Sequence, residues 1–446
     1  MKDRIKNGAN LLEDHVFQFD FLNDEFTKLP SALQAIINDP EKRKKMVVYI
    51  NPPYAEAGDT KQRSGSGKNK ENVSNQTVTH KKYSYIIKDY AKRELFVQFF
   101  TRIYEEMNGQ ILAEFSKLKM LQAPYFSDYR KYFLAKLNSI FVVPANSFDN
   151  VKGSFPIGFF IWDTKISNYF TEAIADIYNA NGEFSGYKTF LSYDSLNNLN
   201  DWLRPTWKYT DIRMAYITCN SNDFQNSIGV FIQSKKSNQT LTYYKPITPK
   251  NLIQSSIYLA VRHCIEATWL NDRDQFLHPK DQWQIDTLFQ NDCLVFTLFD
   301  SQNRVSSKDG INHWIPFTEQ EVNARTKFDS NLMTQFIAGK LKQEKAATLF
   351  DTQEQRTTPL IFSAQAQAVF SAGLELWQYY HQQPSCNVNV SLYDIREHFQ
   401  GRNASGKMNN KSADATYMGL IKGLREQLKM LQKNIEPKIF EYGFLK

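Results

Sequence analysis

Histidine, cysteine and glycine are all scarce in this chain of 446 residues, and each shortage removes a class of function. The 7 histidines show no HxxxH or HxH spacing, so a histidine-built metal site is not expected. The 4 cysteines (Cys219, Cys264, Cys293, Cys386) contain no CxxC pair. That excludes a zinc ribbon and a disulfide scaffold and points to a reducing, cytoplasmic compartment. With only 18 glycines, collagen-like and glycine-rich low-complexity readings fail. Long apolar runs are lacking too. The strongest, from Phe155 to Trp162, is far too short to span a bilayer, and the amino terminus has no apolar signal-peptide core. A soluble protein with no membrane partner is expected.

What is present describes a globular chain. Hydrophobic residues make up 42% and charged residues 23%, enough to bury a core and too apolar for a disordered chain. At ~100–200 residues per domain, the length allows two to four domains. The formal net charge of +7 permits a polyanionic partner without requiring one.

Periodicity organises the first third. VFQFDFL, residues 16–22, alternates and predicts a short strand ending at Asp20. A helix-like polar stretch covers 24–43. MVVYI, residues 46–50, predicts a buried strand that halts at Asn51-Pro52-Pro53-Tyr54, because two consecutive prolines cannot continue a ladder. Residues 55–82 lack apolar periodicity and predict a long mobile loop carrying Lys61, Arg63, Lys68, Lys70, Lys81 and Lys82. Within it, SGSGK lacks the full spacing of a nucleotide P-loop and no strand leads into it. A helix over 92–107, closed by Asn108-Gly109, is followed by the strand QILAEFS and an amphipathic helix over 125–137. Strands are expected over 139–148 and 156–164. This alternation is the pattern of an α/β sheet with an antiparallel edge.

Beyond residue 165 the rhythm loosens. RMAYITC, IGVFIQS, LTYYKPI and CLVFTLF are strand candidates among helices, which suggests an α+β region to about residue 345. The remainder turns helical in three segments. Three regions are therefore expected, 1–164, 165–345 and 346–446. NDRDQF, residues 271–276, is acidic but has no ExK at strand spacing after it, so no nuclease is read there. His313 in INHWIPF fits a packed turn better than a metal ligand.

The sharpest signal is Asn51-Pro52-Pro53-Tyr54 directly after a hydrophobic strand. Ligands of α/β sheets bind at the carboxyl ends of strands. There, the Asn51 side-chain oxygen and the Pro52 carbonyl are two acceptors that can converge on one amino group. The proline rings keep the turn rigid. Tyr54 offers a flat face for a planar base. Such a site suits a weakly nucleophilic exocyclic amine and needs no cysteine nucleophile, metal or general-base histidine.

This segment resembles motif IV, [DNS]PP[YFW], of the amino-methylating DNA methyltransferases. NPPY in particular is similar to the gamma-type N6-adenine enzymes of restriction-modification systems. VFQFDFL resembles the motif III of that family, which implies that Asp20, with Phe21 beside it, meets the adenine of S-adenosylmethionine. ANSFDNVKGSFPIGFFIWD resembles motif VIII, which implies that Phe148, or else Phe155, packs on the target base. LWQYYHQQP, SLYDIREHFQGR and EPKIFEYGFL are similar to the tails of large methylase subunits. The resemblance implies a partial Rossmann-like methyltransferase sheet in 1–164, a target-recognition region in 165–345 and a helical region in 346–446. It also implies a double-stranded DNA partner and methyl transfer to N6 of a flipped adenine.

One departure matters. The family's glycine-rich motif I, which holds the methionine part of the cofactor, is absent upstream of Asn51, and FSAGLELW and FIAGKLK do not supply it. The expectation is therefore one part of an enzyme, with a partner polypeptide carrying motif I. The alternative is a non-catalytic DNA-binding specificity module or a degenerate remnant.

Overall fold

The β-branched run ahead of the prolines forms an edge strand. β1 (Val47–Ile50) pairs in parallel with β2 (Ile111–Lys117), and together they open a six-stranded mixed sheet. This is a computed structural model, and it describes residues 6–8, 12, 15–52, 73–88, 91–148, 151, 153–194, 196–206, 212–236, 244–341 and 358–446. The chain divides into two units. The first comprises Met1–Ser195 and Thr268–Arg273, the second Leu196–Ala267 and Asp274–Lys446.

In the first unit the strand order is β1-β2-β4-β3-β5-β6. β3 (Ala135–Pro144) and β4 (Pro156–Ser167) are antiparallel. β5 (Glu172–Tyr178) runs parallel to β3, and β6 (Phe184–Leu191) returns against β5. Three helices recur below: α1 (Ser31–Ile37), α2 (Leu95–Glu106) and α3 (Ser127–Tyr132). α2 presents Phe96, Val97, Phe100 and Ile103 to the core at helical spacing. The chain then turns at Gly109, whose φ of +110° carries no Cβ penalty in glycine.

Among the described residues, one face of this sheet closes into a core. Leu112, Ile140, Val142, Phe160, Trp162 and Ile177 meet the aromatic residues of α2 and α3 there, and Trp269 and Leu270 pack against the same cluster. Two ion pairs are buried with it. Lys119 lies 2.5 Å from Glu94, and Arg130 donates to the carbonyls of Met120 and Ala123 at 2.6 and 2.9 Å and to the Asp194 carboxylate. The opposite face carries a file of rings that crosses the strands. Tyr49 and Phe159 are 6.2 Å apart, Phe159 and Phe141 5.1 Å, Phe141 and Tyr178 5.9 Å, and Tyr178 and Phe184 5.8 Å. Tyr49 is 62% exposed and Tyr187, which ends the file, 73%.

The second unit holds a four-stranded sheet of order β10-β8-β7-β9. β7 (Ala215–Thr218) is flanked by antiparallel β8 (Ile232–Gln233) and β9 (Tyr244–Ile247), and β10 (Asn303–Arg304) runs parallel to β8. Around it pack α4 (Leu252–Cys264), α5 (Thr287–Phe299), α6 (Ala364–His381), α7 (Leu392–Gln400) and α8 (Ala415–Glu441). The starts of the last three are written in sequence. Ser363 and Asp414 accept N–H bonds from Ala366 and Tyr417, and Ser391 with Asp394 forms a reciprocal capping box. One buried cluster runs from Leu199 to Leu445, so the helices after 357 share a core with the strands before them.

Several expectations are corrected. Residues 16–20 form no strand; Phe19, Phe21 and Phe26 instead gather with Met46 and Val48 around Leu29, Ile37 and Met107. The loop expected over 55–82 contains helical turns at Val73–Gln76 and Val78–Tyr83, while 53–72 lie outside the described residues. The helix expected over 125–137 ends at Tyr132, and β3 begins at Ala135. CLVFTLF belongs to α5, not to a strand: it is apolar on all sides because that helix is buried all round. Position 164 falls inside β4, and the first sheet continues through β5 and β6. The architecture is a mixed α/β one, with helices on mixed sheets in both units.

Candidate active site

Because β1 and β2 are parallel, their carboxyl ends emerge on the same side of the sheet. Ile50 pairs with Glu114, so Asn51 follows level with Phe115. Asn51 is exposed and Pro52 is buried. Pro53 and Tyr54 lie outside the described residues. The β3–β4 connection reaches the same end, since Lys117 pairs with Ile157, and Pro144 with Pro156. Phe148 and Phe155 are both on this connection. The half-buried Phe148 ring stands edge-on to Phe115 at 5.3 Å, and Tyr49 also meets Phe115 edge-on at 6.5 Å. The Phe155 carbonyl accepts the Ala145 N–H at 2.8 Å, and its ring centroid is 6.0 Å from the Lys117 ammonium. Asn51, Pro52, Phe148 and Phe155 thus share one end of the sheet, around Phe115.

Asp20 and Phe21 do not join them. The Asp20 carboxylate accepts the Leu22 N–H at 3.1 Å and the Asn23 amide at 2.8 Å, a local turn that fixes the chain before α1. Phe21 stacks on Phe99 with centroids 5.4 Å apart and lies under the Arg102 guanidinium. Phe21 therefore sits with the cluster at the amino end of β1, around Met46 and Met107, and Asp20 is exposed beside it. Of the basic residues in the loop expected over 55–82, Lys61, Arg63, Lys68 and Lys70 lie outside the described residues. Lys82 is paired with Glu106 at 2.9 Å, and Lys81 is exposed.

Sequence reasoning missed Glu114. Its carboxyl is fully buried on β2, opposite Ile50 and one residue from the Asn51 turn. Burial pushes it up to about 8, against the opposing effect of hydrogen bonds from Trp162 Nε1 at 3.1 Å and Ser116 Oγ at 3.4 Å. At neutral pH it is mostly protonated. Its second oxygen has no partner among the described residues. The one signal for it in the sequence is a lone acid inside the apolar run QILAEFS. Among the described residues, no group of His, Cys, Asp or Glu side chains is placed to hold a metal ion, and no helix is long and apolar enough to cross a membrane.

No family model and no curated protein matches this sequence. Among solved structures, the chain is similar to the methyltransferase subunit of a type I restriction-modification system from Streptococcus thermophilus. The identity is 20% over 33% of this chain and 28% of that one, with a TM-score of 0.21. It is also similar to the ATP-dependent type ISP restriction-modification enzyme LlaBIII bound to DNA, at 9% identity over 42% of this chain and 15% of that one, with a TM-score of 0.23. The chain thus spans under a third of the length of each of these two structures.

Proposed function

We propose that this chain is the base-binding part of a restriction-modification DNA methyltransferase that modifies N6 of adenine, working with a second polypeptide that holds S-adenosylmethionine. The observation that carries the reading is the turn after β1. An exposed asparagine followed by a buried proline stands at the carboxyl end of a strand, beside aromatic rings from the neighbouring connection.

The described residues do not make a cofactor site. Asp20 is engaged in its own turn, Phe21 is packed on Phe99, and β1 is the edge of the sheet. The methyl donor therefore belongs to the partner polypeptide. What this chain contributes is the acceptor side. Adenine must leave the duplex before its N6 can be reached. Asn51 Oδ1 and the Pro52 carbonyl accept the two N6 hydrogens, which localises the nitrogen lone pair for attack on an electrophilic methyl group. Phe148, with Phe155 as the second choice, packs on one face of the base, and Tyr54 on the other. A base–aromatic contact of this kind is worth ~1–3 kcal/mol.

Asn51→Ala is the test, with the partner polypeptide present. Loss of one positioned polar group costs roughly 10²–10³ in rate by analogy with oxyanion-hole donors. DNA affinity should stay within about twofold, because phosphate contacts supply most of it. Unchanged turnover in this variant refutes the catalytic assignment. A second reading, a DNA-binding module with no catalysis, is favoured by the edge position of β1. It predicts that no partner polypeptide restores methylation.

A further inference from the structure

The second unit contains a cavity of ≈ 460 Å³ between β8, β10 and α7, and its lining is strongly basic. Lys235, Lys236, Arg304, Lys308 and Arg402 face it, against only two carboxylates, Asp309 and Glu397. Those carboxylates are already committed. Asp309 pairs with Lys235 at 2.6 Å, and Glu397 with Lys308 at 3.2 Å and Arg402 at 2.9 Å. Neither Lys236 nor Arg304 has a carboxylate within ion-pair distance among the described residues.

Arg304 is the telling member. Its half-buried guanidinium lies 4.0 Å over the Phe231 ring and donates to the Gln302 amide oxygen at 2.7 Å. Burial lowers its pKa, against the smaller opposing influence of Tyr393 and Asp300. A partly buried cation with no carboxylate in direct contact is costly and is relieved by a counter-ion. A planar guanidinium is also the group best matched to two oxygens of one phosphate. Beside it, Tyr393 accepts from Arg402 at 2.8 Å and keeps its own O–H available to donate. Outside the cavity the positive charge continues. Lys236 and Arg213 both face the Tyr216 ring, at 5.1 and 4.9 Å.

We propose that this cavity binds a phosphate group, with Arg304 and Lys236 as its principal contacts and Lys308, Arg402 and Tyr393 completing the cradle. The strip of cations leading out to Arg213 favours a polymer backbone over a single small anion, so the source named first is the phosphodiester backbone of DNA. Only that choice of source rests on the methyltransferase reading.

The experiment uses the full chain. Binding of a fluorescein-labelled DNA duplex is followed by anisotropy across a salt series, and binding of inorganic phosphate and of a nucleoside triphosphate by calorimetry. Lys236→Glu with Arg304→Gln is compared with wild type. Lys422→Glu, an exposed α8 lysine outside the cavity, controls for net charge. Because Arg304 packs on Phe231, Lys236→Glu is also tested alone, at an exposed site that tolerates exchange. The double variant should weaken DNA binding by at least about tenfold and lower the salt slope by about two, since each lost phosphate contact removes ~0.9. The single variant should lower it by about one, and the control should leave it unchanged. If wild type binds phosphate or triphosphate in a variant-sensitive way but does not bind DNA, the cavity assignment stands and the DNA reading falls. If DNA binds equally to wild type and both cavity variants, and phosphate does not bind, the cavity assignment is overturned while the DNA reading survives. Binding of none of the three by wild type overturns it as well.

Discussion

Replacing Glu114 with Gln should change how the stability of the first unit responds to pH. The wild-type carboxyl is buried and sits at about 8 in the folded chain, against an ordinary value of 4.5 when unfolding exposes it. Between those values the folded state holds one proton more than the unfolded state. Linkage then makes stability fall as pH rises, by close to tenfold in the unfolding equilibrium per pH unit, and level off above about 8. Across the whole window the change is on the order of a thousandfold. Glu114→Gln keeps an acceptor for Trp162 Nε1 but cannot ionise, so this dependence should disappear. The variant should match wild type or fall slightly below it near pH 5, and exceed it increasingly towards pH 8. The assay is hydrogen exchange of peptides covering β2 and β4, corrected for the intrinsic effect of pH on exchange. It reports the opening of these strands separately from the second unit. Equal pH slopes in wild type and variant would show that the carboxyl is not the buried neutral acid inferred here.

Substitutions at two further places test the packing. Lys119→Met leaves the Glu94 carboxylate buried without the cation 2.5 Å away, and should cost about 3–5 kcal/mol in urea unfolding of the first unit. Glu94→Gln in the same chain should restore much of that, and a lone loss below about 1 kcal/mol would show the pair to be relaxed or hydrated. In the second unit, Gly373→Ala reverses the usual helix preference. A Cβ there would lie 2.3 Å from Phe299 Cε1, a ring itself held by Phe317, Phe370 and Trp377. Overpacking of about 1–3 kcal/mol should outweigh the ~1 kcal/mol that alanine contributes in an open helix. An increase in the urea midpoint would contradict this.

Strands with hard punctuation were legible in the sequence. MVVYI followed by Asn51-Pro52 could only be a short strand that ends, and β1 ends at Ile50. PIGFFIWDT likewise becomes β4, whose alternate residues are buried. Elements decided by long-range burial were not legible. CLVFTLF has the composition of a core strand, and only its neighbours in α5 reveal a helix enclosed on every side. VFQFDFL alternates, but its phenylalanines serve a local cluster with Met46 and Met107 rather than a ladder. The β5–β6 hairpin was not anticipated: it turns through Asn179 to Gly182, where Gly182 adopts a φ of +81°, but its flanking strands mix polar and apolar residues too evenly to stand out. At the candidate site the Asn51 turn was visible because prolines restrict the backbone locally. Glu114 was hidden because a lone acid in a strand ordinarily faces water.

The first unit is not a continuous stretch of chain, and this affects how it is made. Trp269 and Leu270, which pack against its core, are translated after Ser195 and the segment from Leu196 to Ala267. At about 5–20 residues per second, a ribosome needs on the order of 4–16 seconds to go from Ser195 to Arg273. During that interval the nascent core lacks the cover of these two side chains, and a holdase has time to bind the apolar surface left open. A gene fragment stopped at codon 195 would make that interim state permanent.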